Sequence, residues 1–235
     1  MECLYVPELT SDIEQTTIVG DEFKHIWALR LRLGETIMLS NGKGICSITQ
    51  LVNISKSEAI VKVIDVLHNF GENQTRIGLG LGILDSRDRM EFAVEKSVEL
   101  GITDFYPIIC EFSQKKIVSI ERLQHKAIAA LKQCKRAYLP IFYQPMTLKQ
   151  LLENSNRWNV LFVGDVNGIQ VPQISSNDSA LILIGTEGGF SENETKLLNE
   201  ESRTINIKLA HRRLRAETAA IVALSLVSNI NNQNI

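Results

Sequence analysis

The sequence predicts a protein of two parts, a small β-barrel followed by a larger α/β unit with a mainly parallel sheet. Three observations lead to this prediction. The first seventy of the 235 residues read mostly as strands. Residues 68–75 are polar, contain glycine and lack periodicity, which is typical of a linker. Beyond them, short apolar strands alternate with helical segments, as parallel α/β sheets require. The predicted domains are therefore residues 1–70 and 71–235.

The composition is that of a globular protein with its own core. Hydrophobic residues make up 44% and charged residues 22%, and the net charge of −2 gives no overall nucleic-acid signal. The four cysteines form no Cys-x-x-Cys pair and the four histidines show no ligand spacing, so we expect reduced thiols and no metal. Residues 1–7 do not resemble a signal peptide, and the most apolar stretch, Ala216 to Val227, is too short to span a membrane. A cytoplasmic protein is expected.

The elements of the first part follow from local patterns. One short helix is predicted over 21–30. Strands over 36–39 and 45–51 flank Asn41-Gly42-Lys43-Gly44, which is typical of a hairpin. A third strand over 58–66 carries apolar residues on both faces, and this suits a small closed barrel.

The second part is predicted to contain five short apolar strands, at 77–84, 105–110, 160–164, 180–185 and 204–209. Four helices lie between or after them. The first, over 88–100, has a capping-box-like start at Asp88 and Glu91 and a C′ glycine at Gly101. The second is predicted over 121–138. The third begins after Ser191, which caps it, with Glu194 three residues further on. The fourth is predicted over 216–230.

The loop from Gly185 to Gly189 is the first candidate site. It follows a strand and precedes a helix, and in open α/β sheets ligands bind at the carboxyl ends of strands. Glycines allow a ligand to approach the backbone, and helix amides add donors. The loop is neither Gly-x-Gly-x-x-Gly nor a P-loop, because the phosphate-binding lysine is absent and Glu187 stands in the loop. The alternative is a tight turn with a helix cap.

A basic segment follows at 203–215, with five cations and no acid: Arg203, Lys208, Arg212, Arg213 and Arg215. Arg215 lies at the entry of the last helix, where a cation opposes the helix dipole. This unfavourable placement indicates a functional role. Glu217, in the first turn, could pair with an arginine, so a salt-bridged helix start is the alternative.

A second basic segment runs over 115–136. It contains one acid, Glu121, and seven cations: Lys115, Lys116, Arg122, Lys126, Lys132, Lys135 and Arg136. This local excess fits a surface that contacts phosphates. A solvated helix face is the alternative.

The last helix is apolar on nearly every side. A helix of this kind must be buried, in the core or at a subunit interface. Because symmetric dimers are the commonest oligomers, a homodimer is predicted.

The two candidate motifs, Leu183 to Ser191 with Glu194 and Leu209 to Ala219, resemble those of the RsmE family. This family comprises the small-subunit (16S) ribosomal RNA uridine-N3 methyltransferases of the SPOUT superfamily. Weaker motifs agree in order along the chain: His25 with Leu29-Arg30 and Gly34-Glu35, Lys96 with Glu99-Leu100-Gly101, and Gln133 with Arg136 and Pro140. The resemblance spans nearly the whole chain.

The resemblance implies a PUA-like RNA-binding β-barrel over 1–70 and a SPOUT-type, trefoil-knotted α/β methyltransferase domain over 71–235. It implies S-adenosyl-L-methionine as cofactor, 16S ribosomal RNA as substrate, and a homodimer formed by the C-terminal domain. Two rival functions stay open at this point. One is a ribose 2′-O methyltransferase of the same superfamily, and the other is a non-catalytic RNA-binding or ribosome-assembly protein.

The resemblance and the local patterns together name site residues. Arg215, Glu187 and Glu217 are the catalytic candidates. The cofactor-binding candidates are Gly164, Gly185, Thr186, Glu187, Gly188, Gly189, Leu209, Ala210, Arg213, Leu214 and Thr218. The RNA-binding candidates are His25, Arg30, Arg32, Lys115, Lys116, Lys132 and Arg136. The chain departs from the family pattern at Thr186, Ala210 and Arg213, where proline, glycine and isoleucine are usual.

Overall fold

The computed structural model describes residues 1–175 and 178–230. The chain divides into two compact units. The first consists of Met1–Glu72 together with Ile128–Leu139, and the second of Asn73–Ala127 together with Pro140–Ile235. The sequence predicted one domain boundary, after residue 70. It did not predict that residues 128–139 belong to the first unit. Residues 231–235 of the predicted second domain lie outside the described residues.

The first unit is built on a five-stranded sheet. Its strands and its helix are β1 (Cys3–Tyr5), β2 (Gln15–Ile18), α1 (Gly20–Ala28), β3 (Thr36–Ser40), β4 (Ile45–Ile54) and β5 (Ala59–His68). The sheet order is β1-β3-β4-β5-β2. β1 pairs with β3 in parallel, and the other pairs are antiparallel. The sequence predicted α1 and β3 to β5 but not the short strands β1 and β2.

One core joins all the elements of this sheet. Its buried apolar side chains come from every strand, from α1 and from the loop after β1: Leu4, Leu9, Ile18, Phe23, Ile26, Ile37, Leu39, Leu51, Ala59 and Val61. Because five strands and a helix share these contacts, the sheet curls around them. The apolar residues on both faces of β5 predicted a small closed barrel, and the observed sheet, whose order runs from β1 to β2, is a curled half-barrel consistent with a β-barrel domain.

The predicted hairpin joins β3 to β4. Gly42 and Gly44 have φ angles of +67° and +106°, a region that glycine adopts without strain. The side chain of Asn41 accepts hydrogen bonds from the backbone N–H groups of Lys43 and Ile45, at 2.7 and 3.0 Å. The turn residues therefore set the register of the hairpin.

The second unit is built on a parallel sheet. Its elements are β6 (Arg76–Gly82), α2 (Arg87–Glu99), β7 (Asp104–Ile109), α3 (Ile120–Cys134), β8 (Ile141–Phe142), β9 (Met146–Thr147), α4 (Leu148–Glu153), β10 (Val160–Ile169), β11 (Ser179–Ile184), α5 (Glu192–Glu200), β12 (Thr204–Ile207) and α6 (Ala216–Ile230). The sheet order is β12-β10-β11-β6-β7-β8, and β9 pairs with β7. All these pairs are parallel. The five predicted strands are confirmed, whereas β8, β9 and α4 were too short to be predicted.

Two predicted helix ends were wrong. α2 begins after Ser86, whose hydroxyl accepts a hydrogen bond from the backbone N–H of Arg89, so the predicted capping box of Asp88 and Glu91 is absent. α3 ends at Cys134, not at Tyr138, because Lys135 has a left-handed φ of +59°. Two other ends are confirmed: Gly101 has a φ of +90° after α2, and Ser191 forms a capping box at the start of α5.

Helix α6 is buried along one face. Ala220, Ala223, Leu224 and Val227 are fully buried, and the helix packs against α2, β6 and β11. Leu226, on another side, is 38% exposed. The sequence predicted that α6 is buried on every side, and within the single chain it is buried on one face. Over the described residues, no helix combines the length and the apolar character that crossing a membrane would take.

Candidate active site

A cavity of about 760 Å³ lies at the carboxyl ends of the central strands of the second unit. Three stretches of chain supply most of its wall: residues 163–166 in β10, residues 184–190 except Gly188 at the end of β11 and after it, and residues 209–216 except His211 between β12 and the start of α6. This is the edge of a parallel sheet at which ligands generally bind.

The glycine loop is the tightest of these walls. Gly189 donates its backbone N–H to the carbonyl of Thr186 at 2.9 Å. A Cβ on Gly185 would lie 2.5 Å from the carbonyl carbon of Gly189, and one on Gly82 would lie 2.6 Å from the nitrogen of Thr186. Only glycine fits at both positions. The loop is therefore a tight turn with a helix cap, as the alternative interpretation had it, and it also lines the cavity.

An arginine links the segment between β12 and α6 to the glycine loop. The guanidinium of Arg213 donates to the backbone carbonyl of Glu187 at 3.0 Å. Leu209, Ala210 and Leu214 line the cavity on the same side. The two motifs, separated by about twenty residues in the sequence, are thus adjacent in space.

Arg89 connects the loop to the last helix, and the sequence analysis missed it. Its Nε and Nη2 donate to the two carboxylate oxygens of Glu217, at 2.8 and 2.5 Å, and its Nη1 donates to Glu187 at 2.9 Å. Arg89 also lines the cavity. A signal was present: this cation stands in the first turn of a predicted helix, the same unfavourable placement that singled out Arg215.

The ionisation of Glu217 follows from this contact. Burial alone would raise the pKa of its carboxyl, but the hydrogen bonds and the charge of Arg89 outweigh burial and lower the pKa below its usual value, with a smaller contribution from Arg215. The hydrogen bond with Glu217 in turn raises the pKa of Arg89. Glu217 is therefore an ionised carboxylate with both oxygens bound, which makes it a poor proton acceptor.

Arg215 has a different environment. It is exposed, lies directly before α6 and lines the cavity. Among the residues that the structure describes, no carboxylate lies within ion-pair distance of its guanidinium. The predicted salt-bridged helix start is therefore formed by Arg89 with Glu217, and Arg215 is available to a ligand.

Most of the predicted cofactor residues meet at the cavity. Those on its wall are Gly164, Gly185, Thr186, Glu187, Gly189, Leu209, Ala210, Arg213 and Leu214. Gly188 and Thr218 are not on the wall: Gly188 faces the side chain of Phe112, and Thr218 is exposed on α6. Lining residues that the sequence analysis did not include among the catalytic or cofactor-binding candidates are Arg89, Val163, Asp165, Val166, Ile184, Phe190, Thr195, Leu198, Asn199, Asn206, Arg212, Ala216 and Ala219.

The basic segment over 115–136 is largely neutralised. Arg136 is 2% exposed and pairs with Glu72 at 2.6 Å, so its prediction as a direct phosphate contact was wrong. Lys132 pairs with Glu22 at 2.8 Å. Arg122 and Lys126 both pair with Glu91. For these four cations the structure favours the alternative, a helix face held by ion pairs.

The other predicted RNA-binding residues lie at the surface. Arg30, Arg32, Lys115 and Lys116 are exposed, and His25 is half-buried. The ammonium of Lys115 donates to the backbone carbonyl of Asp85. In the described part of the chain, Arg30, Arg32 and Lys116 have no carboxylate at ion-pair distance.

The fold and the site define a class of protein. It is an α/β protein with a parallel sheet and a cavity at the strand ends, lined by glycine backbone, apolar side chains and arginines. Over residues 1–175 and 178–230, no cluster of three or more histidine, cysteine or acidic side chains is placed to hold a metal ion. The class is that of α/β proteins which bind a small organic ligand in a crevice at the carboxyl ends of the strands.

The chain belongs to the RNA methyltransferase domain family, whose model matches residues 71–228. It is 28% identical to the ribosomal RNA small subunit methyltransferase E of Rickettsia conorii, over 95% of this chain and 93% of that protein. It is also 28% identical to the protein of the same name from Bacillus subtilis, with 95% of each chain covered. The resemblance to the RsmE family drawn from the motifs is confirmed.

Solved structures agree along the whole chain. The ribosomal RNA small subunit methyltransferase E of Neisseria gonorrhoeae, bound to S-adenosyl methionine, matches with a TM-score of 0.84 and 28% identity, covering 96% of this chain and 95% of that one. A methyltransferase from Legionella pneumophila in complex with the same cofactor gives 0.83 and 28%, covering 97% and 96%. The predicted fold class, a SPOUT-type α/β domain with an N-terminal β-barrel domain, is confirmed.

Proposed function

We propose that this protein transfers a methyl group from S-adenosyl-L-methionine to N3 of a uridine in the 16S ribosomal RNA of the small subunit. The observation that carries the proposal is the cavity that the Gly185–Gly189 loop and the Leu209–Arg215 segment form together, with the unpaired Arg215 at its rim. The full-length likeness to small-subunit rRNA methyltransferases, one of them bound to S-adenosyl methionine, supports the same activity.

The cavity fits the cofactor in size and in chemistry. Its volume is within the range of sites that enclose ligands of this size. Ile184, Leu209 and Leu214 supply apolar surface for a purine, and the glycine backbone lets polar edges approach its amides and carbonyls. Exposed Arg212 and Arg213 at the rim are suited to a carboxylate. The lack of a P-loop lysine agrees with a cofactor that carries no phosphate.

The bound cofactor supplies an electrophilic methyl group on a positively charged sulfur. The protein has to present N3 of the uracil without its imide proton. When that proton leaves, negative charge spreads to the two carbonyl oxygens of the base. The guanidinium of Arg215 is the donor that can meet this charge, because no protein carboxylate among the described residues already occupies it. Preorganised donors at developing charge each contribute about 3–4 kcal/mol.

The two glutamates divide the remaining roles. Glu217 holds Arg89 with both of its oxygens and acts as a positioning residue. Glu187 gives one oxygen to Arg89, is 33% exposed and lines the cavity. Its second oxygen has no hydrogen-bond partner among the described residues and can accept the imide proton. We assign the proton-acceptor role to Glu187 for this reason.

Substrate binding is assigned to both units. The first unit, as a PUA-like module, contacts RNA through His25, Arg30 and Arg32, and Lys115 and Lys116 add cations from the second unit. N3 faces the pairing partner in a duplex, so the target base must be unpaired or flipped out to react. The assembled small subunit is the proposed context.

The oligomeric state and the location complete the proposal. The partly exposed apolar side of α6, including Leu226, favours a homodimer through the second unit. An enzyme that modifies ribosomal RNA acts in the cytoplasm. The trefoil knot that the resemblance implies stays a prediction.

One experiment tests the activity. Small-subunit rRNA from a strain lacking the gene is incubated with the protein and S-adenosylmethionine, and its nucleosides are analysed by mass spectrometry. We expect 3-methyluridine to appear only when protein and cofactor are both present. A 2′-O-methylated nucleoside would instead establish the ribose methyltransferase. No transfer, together with no heat of cofactor binding in calorimetry, would establish a non-catalytic RNA-binding protein.

A further inference from the structure

An exposed tryptophan in the first unit is not among the residues that line the cavity described above. Trp27, near the end of α1, is 65% exposed, whereas the other tryptophan, Trp158, is 1% exposed. Exposure of this extent is unusual for an indole, because its large apolar surface is stabilised by burial. Its presence on the surface points to a binding role rather than to folding.

Trp27 forms one side of a recess in the surface. The recess is lined by Ile26, Trp27, Ala28, Arg30, Leu31 and Ile54. Ile26 forms a buried apolar floor, and the exposed Arg30 contributes a guanidinium. The φ of Arg30 is +55°, since the chain turns sharply after α1 and holds this side chain beside the end of the helix. The recess therefore combines an aromatic face, an apolar floor and a cation.

Cations are in local excess near the recess. Residues 23–34 contain Lys24, His25, Arg30 and Arg32 and no acidic residue, although the acids Asp21, Glu22 and Glu35 flank this range. Only Lys24 forms an ion pair among the described residues, with Asp21. The two arginines thus remain available to an anionic partner. A protein partner that covered Trp27 would not need this excess of unpaired cations, whereas a nucleic-acid strand would.

We propose that Trp27 and Arg30 form a pocket for one unpaired base of the RNA substrate, with the base stacked on the indole and Arg30 and Arg32 at the flanking phosphates. Stacking on aromatic side chains with cations along the backbone is the general mode of single-strand recognition. The inference rests on the proposed function, because it takes RNA as the substrate, and it adds the residue that holds a nucleotide outside the catalytic cavity.

The first test measures RNA binding through the fluorescence of Trp27. Trp158→Phe leaves Trp27 as the sole tryptophan, and it sacrifices no hydrogen bond, since the indole N–H of Trp158 has no acceptor among the described residues. A mixed-sequence, single-stranded 12-nucleotide RNA is titrated into this variant. Stacking predicts quenching of the Trp27 emission by the single strand, and much weaker quenching by the same strand annealed into a duplex.

The second test measures affinity. Trp27→Ala should weaken binding of the single-stranded RNA about tenfold, as loss of one base–aromatic stack does, and Trp27→Phe should restore most of it. Ile64→Ala is the matched control, because Ile64 is a comparably exposed apolar side chain of the same unit, outside the recess. Arg30→Asn removes the charge with a residue that tolerates a left-handed φ, and it should flatten the salt dependence.

Three outcomes overturn the inference. Equal RNA affinity of Trp27→Ala and the wild type removes the stacking role. Equal loss of affinity for single strand and duplex would indicate a contact with the phosphate backbone alone. Quenching that depends on protein concentration without RNA would place a second copy of the chain on the recess. None of these touches the proposed activity, which fails if the wild-type protein with cofactor forms no 3-methyluridine in rRNA.

Discussion

The two basic segments of this protein look alike in the sequence and differ in the structure. The segment over 115–136 has seven cations, and the segment over 203–215 has five. In the former, Arg122, Lys126, Lys132 and Arg136 are bound by carboxylates far away in the chain. In the latter, Arg212 and Arg215 line the cavity with no carboxylate at ion-pair distance among the described residues. Charge density along a chain does not say which cations are free.

The two segments differ in whether glutamate carboxylates from elsewhere in the chain pair with their cations. Glu72 is 64 residues from Arg136, and Glu22 is 110 residues from Lys132. The chain brings them together only when the first unit folds. At the cavity, the nearby carboxylates of Glu187 and Glu217 are bound to Arg89 instead. Arg89 is thus the arginine that is bound by carboxylates at this site, whereas Arg215 has no carboxylate at ion-pair distance among the described residues.

The largest expected effect is on the stability of the fold, and it tests the paired cations of the segment over 115–136. Arg136→Ala leaves Glu72 without its buried partner, and breaking such a pair costs about 3–5 kcal/mol. We expect this loss in the free energy of unfolding, measured by chemical denaturation. Lys116 is an exposed cation of the same segment with no ion pair among the described residues, and Lys116→Ala should leave stability unchanged. Unaltered stability with reduced RNA affinity in Arg136→Ala would restore the phosphate-contact interpretation.

The second effect tests the functional side. Arg215→Ala should lower the rate of methyl transfer about 10²- to 10³-fold, because a donor at the developing charge is lost. Cofactor affinity, measured by calorimetry, should stay within about threefold. Lys126→Ala removes the same charge from the other segment and should leave the rate unchanged. Arg215 has no chemical role if transfer persists at near wild-type rates while cofactor binds.

A third effect follows from the Arg89–Glu217 pair. The pKa of Glu217 is lowered in the folded protein, so below the usual glutamate value of about 4.5 the unfolded chain binds more protons there than the folded one. The stabilisation is present above that pH and is lost as the pH falls through the folded pKa. Denaturation at pH 7 and at pH 3 should show a larger acid-dependent loss for the wild type than for Glu217→Gln. Equal losses would mean that the pair does not stabilise the fold.

The smallest effect concerns the exposed pairs of the neutralised segment. The ammonium of Lys126 lies 3.5 Å from Glu91 and its side chain is 43% exposed. Lys126→Ala should therefore change stability by only about 0–1 kcal/mol, and the change should shrink further in high salt. A loss as large as that of Arg136→Ala would show that exposure does not distinguish these two ion pairs.

The sequence predicted most of the fold for physical reasons that act locally. Alternation, glycine turns and helix caps are properties of neighbouring residues, so the hairpin at Asn41–Gly44 and the cap at Ser191 could be predicted directly. The strands β8 and β9 have two residues each, too few for a periodic pattern. The end of α3 at Cys134 depends on one left-handed residue, Lys135, and no residue type there predicts it.

By itself the sequence determined the class of each half, the two walls of the cavity and, through its motifs, the family. These are local patterns whose spacing is written in the chain. Only the tertiary structure decided that Arg89 completes the site, that Arg136 is buried, and that Trp27 is exposed. Each of these depends on contacts between residues tens of positions apart, because burial and ion pairing are properties of the packed molecule and not of any segment of it.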